Sequence, residues 1–260
     1  MFFKGNQQVA LTTETFDFEA FKARFATFNF ALEKMTLSPD KSALTLVKSP
    51  SCQITLQHQK GVLTPDDTLS ALPAEFSSVL PERFAQQQSY IDITASHDKD
   101  AVGEALLMVM ATAALCDAPD ALVVFTGECA WEPRLYLECY QTSVEQTLFP
   151  VRNLVMVHYL ELDQSLVAIT DGLTNFGMRE LEWAFDEEDP ESVFDTLMAI
   201  ALPMITERLK FKSGQVIEFE DGLFLNVNIA SSFIYDNENT YHLSLSPNVH
   251  ELADEEDDEA

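Results

Sequence analysis

The chain has 260 residues, 47% of them hydrophobic and 22% charged, so it can form a substantial core, and this composition argues against global disorder. Acids outnumber bases 43 to 15, and the net charge of −28 argues against nucleic acids and anionic membranes as partners. Two interpretations of this acidity remain open. It maintains solubility, or it attracts a basic protein.

The four cysteines form no CxxC pair, which favours buried thiols over a metal or redox site. The N-terminus lacks the charged and apolar regions of a signal peptide. The longest apolar run, Ala105 to Cys116, is shorter than a membrane span. We therefore expect a cytoplasmic protein with no membrane partner, and we assign it no metal and no cofactor.

Apolar periodicity predicts the elements of the N-terminal half. Four phenylalanines at helical spacing predict a helix with one aromatic face: Phe18, Phe21, Phe25 and Phe28. At Thr64–Asp67 a hydroxyl residue that can cap a helix is followed by a proline and two acids, and this order predicts the start of another helix. The most apolar segment, 99–116, predicts a helix enclosed between a sheet and other elements. Strands are predicted at 8–11, 43–47, 52–56 and 90–94.

The C-terminal half is predicted around residues 154–185. The apolar run Leu154–Leu160 predicts a strand buried on both faces, and Asp163–Gln164 predicts a hairpin turn. Near the end of this stretch, Leu181, Trp183 and Phe185 alternate with Glu180 and Glu182, so we expect the apolar side chains to be buried and the glutamates exposed. Further strands are predicted at 121–125, 166–170, 223–229 and 241–245, and helices at 132–140 and from Asp189.

These elements predict an α+β fold with a mixed, mostly antiparallel sheet and helices packed on it. We expect one compact domain over residues 1–250, with two packed halves, 1–84 and 85–250, as the alternative division. Residues 251–260 carry seven acids and no base, which is typical of a disordered tail.

An acidic cluster where the last strand of the 154–185 stretch meets the next helix is the predicted partner-binding surface: Glu180, Glu182, Asp186, Glu187, Glu188, Asp189 and Glu191. Helix capping explains Asp189 and Glu191, but the other acids repel one another. A merely solvated face and a catalytic carboxylate pair at Glu180 and Glu182 are the alternatives.

A second candidate site follows the strand 121–125. Trp131, Glu132 and Arg134 lie at the step from this strand to the next helix, where pockets often form. The alternative is that Trp131 packs over the sheet edge. The chain contains no GxSxG, GxGxxG, phosphate loop or HExxH motif, and we assign no catalytic residue.

One stretch resembles a known family. The pattern Thr170–Asp171–Gly172–Leu173, Phe176–Gly177 and Glu180–Leu181–Glu182 is similar to the signature of a bacterial family called domain of unknown function 4261. The resemblance covers roughly residues 85–246. It implies a bacterial cytoplasmic α+β protein without a recognised catalytic set.

Three functions remain as hypotheses. The first is an immunity protein, not an enzyme, that neutralises a secreted toxin by binding its basic surface, by analogy with other small acidic bacterial proteins. The second is a hydrolase or other enzyme that uses carboxylates, with or without a divalent cation. The third is an accessory protein of a secretion system.

Overall fold

The computed structural model describes residues 3–63, 85–96, 100–126, 129–162, 165–186, 188–219, 222–235 and 238–246. It confirms the α+β class, with four helices and two mostly antiparallel sheets in the described residues. The chain forms two compact units instead of one. Unit 1 comprises Met1–Met156 and Asn175–Gly177, and unit 2 comprises Val157–Thr174 and Met178–Ala260.

Unit 1 is built on an antiparallel sheet. Its strands are β1 (Asn6–Leu11), β2 (Lys34–Leu37), β3 (Ala43–Ser49), β4 (Cys52–Lys60), β5 (Ser89–Ala95), β6 (Ala121–Thr126) and β7 (Cys129–Trp131). Its helices are α1 (Phe18–Ala26), α2 (Ala101–Cys116) and α3 (Pro133–Glu145). The strand order is β2-β3-β4-β5-β1-β6-β7. Because β4 and β5 pair across the gap between them in sequence, the alternative division after residue 84 does not match the observed units.

Helix α2 forms the centre of unit 1. Fourteen of its sixteen residues are buried, which is why its sequence is apolar on every side. It packs against strands β1, β4, β5 and β6 and against helices α1 and α3. The predicted enclosed position of this helix is therefore confirmed. Of the phenylalanine row, Phe18, Phe21 and Phe25 are buried within α1, and Phe28 follows the helix end and is half-buried.

A buried polar network ties β1 to the helices of unit 1. Gln7 Oε1 accepts hydrogen bonds from the hydroxyls of Thr112 in α2, over 2.6 Å, and of Tyr136 in α3, over 2.8 Å. Gln7 Nε2 donates to the carbonyl of Asn153, and Asn153 Nδ2 donates to that of Tyr136. All four side chains are buried, so each bond replaces water that these groups lose on folding.

Unit 2 contains a mixed sheet. Its strands are β8 (Met156–Leu162), β9 (Ser165–Asp171), β10 (Leu181–Phe185), β11 (Gln215–Glu218), β12 (Phe224–Ser231) and β13 (Asn239–Leu245), and its helix is α4 (Pro190–Thr206). The strand order is β11-β12-β13-β10-β9-β8. Strands β10 and β13 are parallel, whereas β10 pairs antiparallel with β9.

One face of this sheet carries the predicted apolar row. Leu181, Trp183 and Phe185 are only 0%, 3% and 5% exposed, which confirms their predicted burial. Trp183 lies between Ala168 of β9 and Leu243 of β13 in the strand register, and both neighbours are buried. Helix α4 packs against β9 and buries the apolar face that follows Asp189.

The prediction that Leu154–Leu160 forms a doubly buried strand is wrong. Strand β8 begins at Met156 and is the last strand in the order, and its second half, from Tyr159 to Leu162, is exposed. A run of apolar residues indicates a strand but does not show whether other elements cover both of its faces. The predicted helix start at 64–67, the turn at 163–164 and the tail at 251–260 lie outside the described residues. None of the helices described here combines the length and apolar character needed to cross a membrane.

Candidate functional site

The predicted acidic surface is centred on the start of helix α4. Asp189 Oδ2 accepts a hydrogen bond from the backbone N–H of Ser192 over 3.0 Å, which confirms the predicted cap. Pro190 occupies the first turn, where its missing N–H costs nothing. Glu191 follows in the same turn, where the helix dipole favours a carboxylate.

The remaining acids of the predicted surface differ in exposure. Asp186, Asp189 and Glu191 are exposed, and Glu188 is half-exposed. The Oε2 atom of Glu188 accepts a hydrogen bond from the backbone N–H of Asp186, so these two residues order the segment before the helix. Glu187 lies outside the described residues.

The expected exposure of Glu182 is wrong. Its side chain is fully buried and accepts hydrogen bonds from the Ser232 hydroxyl and, over 3.0 Å, from the backbone N–H of Phe233. The Nε2 atom of His242, the register neighbour on β13, lies 3.3 Å from its Oε2 atom. Glu182 thus anchors the segment that follows β12 and is not available to a partner.

The expected exposure of Glu180 is also wrong, since it is only 2% exposed. Its Oε1 atom accepts hydrogen bonds from the backbone N–H groups of Gly172, over 3.1 Å, and Thr174, over 2.8 Å. Its Oε2 atom accepts one from the Thr170 hydroxyl. Burial raises the pKa of this carboxyl to about 7, although these hydrogen bonds oppose the shift.

Both corrections have one physical cause. Alternation along a strand shows that the glutamates face away from the apolar row, but it does not show what covers that second face. For Glu182 the cover is Ser232 and Phe233, which lie 50 and 51 residues further along the chain. For Glu180 it is the turn after β9, where Gly172 adopts a φ of 129° that favours glycine.

The edge strand β8 adds exposed apolar groups that sequence reasoning missed. Tyr159, Leu160 and Leu162 are 38%, 38% and 37% exposed. The Tyr159 hydroxyl donates a hydrogen bond to the carbonyl of Pro190 over 2.7 Å, which connects β8 directly to the acidic start of α4. Burial raises the pKa of this hydroxyl, as do the nearby charges of Asp189 and Asp195. The polar positions at the end of the run are the only sequence signal for this edge.

The second predicted site is engaged in contacts within unit 1. The indole N–H of Trp131 donates to the Thr126 hydroxyl over 3.0 Å, and its ring meets that of Tyr136 edge-on at 5.8 Å. Arg134 is exposed and pairs with Glu138 one helical turn later, while Glu132 precedes the first residue of α3. These contacts support packing of Trp131, and a ligand pocket at these residues stays a prediction.

The two buried carboxylates of unit 2, those of Glu180 and Glu182, are occupied by hydrogen bonds from the chain itself. Each carboxylate oxygen of Glu180 and Glu182 already accepts a hydrogen bond from a hydroxyl or a backbone N–H. Elsewhere in the unit, His158 Nε2 lies 3.6 Å from Asp171 Oδ2. By contrast, Asp186, Asp189 and Glu191 at the start of α4 are open to solvent, and so a partner can reach them.

Comparisons with protein family models, with curated proteins and with solved structures find no match to this chain. The resemblance of residues 85–246 to the family of unknown function therefore stays a prediction.

Proposed function

We propose that this protein binds a basic protein, and that it acts as an immunity protein that covers the basic active-site surface of a toxin. The observation that carries this proposal is the position of exposed acids beside exposed apolar groups. Asp186, Asp189 and Glu191 lie at the start of α4, and Tyr159 on the edge strand donates a hydrogen bond to Pro190 in the same turn. Glu180 and Glu182 are excluded from this surface by their burial.

The two kinds of group have different effects on binding. Acids on a surface attract a basic partner over several ångströms and so raise the association rate, while like-charged proteins are repelled. An exposed apolar side chain such as Tyr159 loses water on contact and so slows dissociation. The net charge of −28 strengthens the first effect over the whole chain.

The proposal has the protein act in the cytoplasm. The four thiols support a reducing compartment, because Cys52, Cys116, Cys129 and Cys139 are all free. A carboxylate-based hydrolase has less support, since the two carboxylates first considered for catalysis are buried and hold the chain's own hydrogen-bond donors.

The test compares two variants of equal charge in the native cells. The first carries Asp186→Lys and Asp195→Lys at the start of α4, and the control carries Glu207→Lys and Glu218→Lys at exposed positions elsewhere in unit 2. Tagged wild type and both variants are recovered, and bound proteins are quantified by mass spectrometry. We expect a basic protein to be recovered with wild type and control, and to be reduced about tenfold with the first variant.

A growth experiment then tests immunity itself. The recovered basic protein is expressed alone and together with each variant. We expect it to stop growth alone, and wild type and control to restore growth better than the Asp186→Lys, Asp195→Lys variant. A basic partner that does not inhibit growth would favour the accessory role over immunity. Equal recovery with all three proteins would show that the start of α4 is only a solvated surface.

A further inference from the structure

Strand β8 offers a long backbone edge in unit 2. It ends the strand order of the sheet and has seven residues, whereas β11 at the opposite edge has four. The outer edge of a terminal strand presents N–H and C=O groups that can pair with another chain, and natural proteins usually shorten such strands or protect them with lysine or proline. Neither lysine nor proline occurs in β8.

The side chains of β8 form two rows with different chemistry. Tyr159 faces α4, because its hydroxyl reaches Pro190 and its ring meets Phe185 edge-on at 6.3 Å. Glu161 follows on the same side by strand alternation. His158, Leu160 and Leu162 belong to the opposite row, and the two leucines are more than one-third exposed.

The row that faces α4 is acidic. Glu161 is exposed, and Asp189 and Asp195 lie close enough to Tyr159 for their charges to act on its hydroxyl. The opposite row ends in two exposed leucines. A strand laid along β8 would therefore meet carboxylates on one side and apolar surface on the other.

We propose that the partner adds a strand to the outer edge of β8 and that this strand alternates basic and apolar side chains. Its backbone pairs with β8, its lysines or arginines contact Glu161, Asp189 and Asp195, and its apolar residues cover Leu160 and Leu162. Main-chain hydrogen bonds supply affinity in such an arrangement, and alternate side chains supply specificity. This inference rests on the proposed function, since it specifies how the basic partner binds.

Synthetic peptides test the pattern without knowledge of the partner. A fluorescent peptide of about nine residues that alternates lysine and valine is long enough to span β8. The control peptide has the same composition with its lysines in one block and its valines in another. Titration is followed by fluorescence anisotropy. We expect the alternating peptide to bind at least about tenfold more tightly, because only it presents one charged and one apolar face.

Backbone pairing is tested by methylating peptide nitrogens along one edge of the alternating peptide. Two isomers are made, each methylated along a different edge of the peptide. A strand added to β8 pairs with it through only one of its two edges. We expect one isomer to lose binding and the other to keep it. Amide hydrogen exchange of the complex should slow in β8 and remain unchanged in β11.

Matched protein variants test whether both side-chain rows of β8 contact the peptide. Leu160→Lys is compared with Leu209→Lys, since both leucines are 38% exposed. Glu161→Lys is compared with Glu218→Lys, which makes the same charge change on strand β11. We expect Leu160→Lys and Glu161→Lys each to weaken peptide binding about tenfold, and the two controls to change it less than about twofold.

Three results would each overturn strand addition: equal binding of the block peptide, retained binding of both methylated isomers, or no binding of the alternating peptide up to about millimolar concentration. These results leave the proposed function intact if recovery of the basic partner still depends on Asp186 and Asp195. Loss of that dependence, with peptide binding at β8 preserved, would instead reject the assignment of the acidic surface.

Discussion

The hydroxyl of Thr170 donates a hydrogen bond to Glu180 Oε2 over 2.7 Å, and the oxygen of this hydroxyl accepts one from the backbone N–H of Leu181 over 2.8 Å. Thr170 therefore connects the end of β9 to the start of β10 through a buried carboxylate. The other oxygen of Glu180 holds the N–H groups of Gly172 and Thr174. Thr170, Gly172 and Glu180 all belong to the pattern that resembles the family of unknown function. They thus have a structural role, which is to shape the turn after β9.

Stability should depend on pH through Glu180. Its carboxyl has a pKa of about 7 in the folded protein, against 4.5 as its ordinary value, so the folded state favours the protonated form. This contribution to the free energy of unfolding is fully present below pH 4.5 and is lost as pH rises through about 7, a fall of about 3 kcal/mol. Urea unfolding of wild type and Glu180→Gln at pH 5 and pH 8 measures it.

The side chain of Glu180→Gln cannot ionise. We therefore expect the free energy of unfolding of this variant, relative to that of wild type, to rise by about 2–3 kcal/mol from pH 5 to pH 8. The exposed Glu161→Gln is the control and should show no such gain. A difference between wild type and Glu180→Gln that stays constant with pH would show that the Glu180 carboxyl does not titrate in this range.

Charge reversal should separate the buried from the exposed acids of the cluster. Glu182→Lys places an ammonium where the Ser232 hydroxyl and the Phe233 N–H now donate, beside His242. We expect a loss of at least about 3 kcal/mol, because the two buried donors and the new buried ammonium would be left without an acceptor. Asp186→Lys, at an exposed position, should change stability by less than about 0.5 kcal/mol. Chemical denaturation compares the two, and similar losses would contradict the difference in burial.

Trp183 should be the most costly apolar side chain to remove from β10. It is 3% exposed and lies in register between Ala168 and Leu243, so Trp183→Ala leaves a cavity in the core of unit 2. We expect a loss of about 3–5 kcal/mol in the free energy of unfolding. Val216→Ala on β11, where the side chain is 45% exposed, is the control and should cost less than about 1 kcal/mol.

The buried network of unit 1 can be tested at its acceptor. Gln7→Met keeps the volume of the side chain but removes the oxygen that accepts from Thr112 and Tyr136. We expect a loss of about 2–5 kcal/mol, since two buried hydroxyls would lose their partner. Gln8→Met, one residue later on β1, is the control, because Gln8 is half-buried and bonds only to Asp92 in the described contacts. Equal stability of the two variants would show that the network contributes little.

The acidic surface was only in part predictable from sequence. The cap at Asp189 followed from local rules, because a carboxylate before proline satisfies a helix N–H whatever the rest of the fold does. The burial of Glu180 and Glu182 did not follow from local rules, because their hydrogen-bond partners belong to the turn after β9 and to residues near 232. Neither partner is visible in the alternation of β10.

The sequence alone determined the elements that depend on neighbours along the chain. The apolar helix α2, the alternating row Leu181, Trp183 and Phe185, and the helix start at Asp189 all follow from periodicity and capping. Only the tertiary structure decided the order of the strands, and with it the edge position of β8 and the burial of Glu182. The physical reason is that pairing and cover come from residues distant in sequence, and the pattern within one strand is the same whether its edge is paired or open.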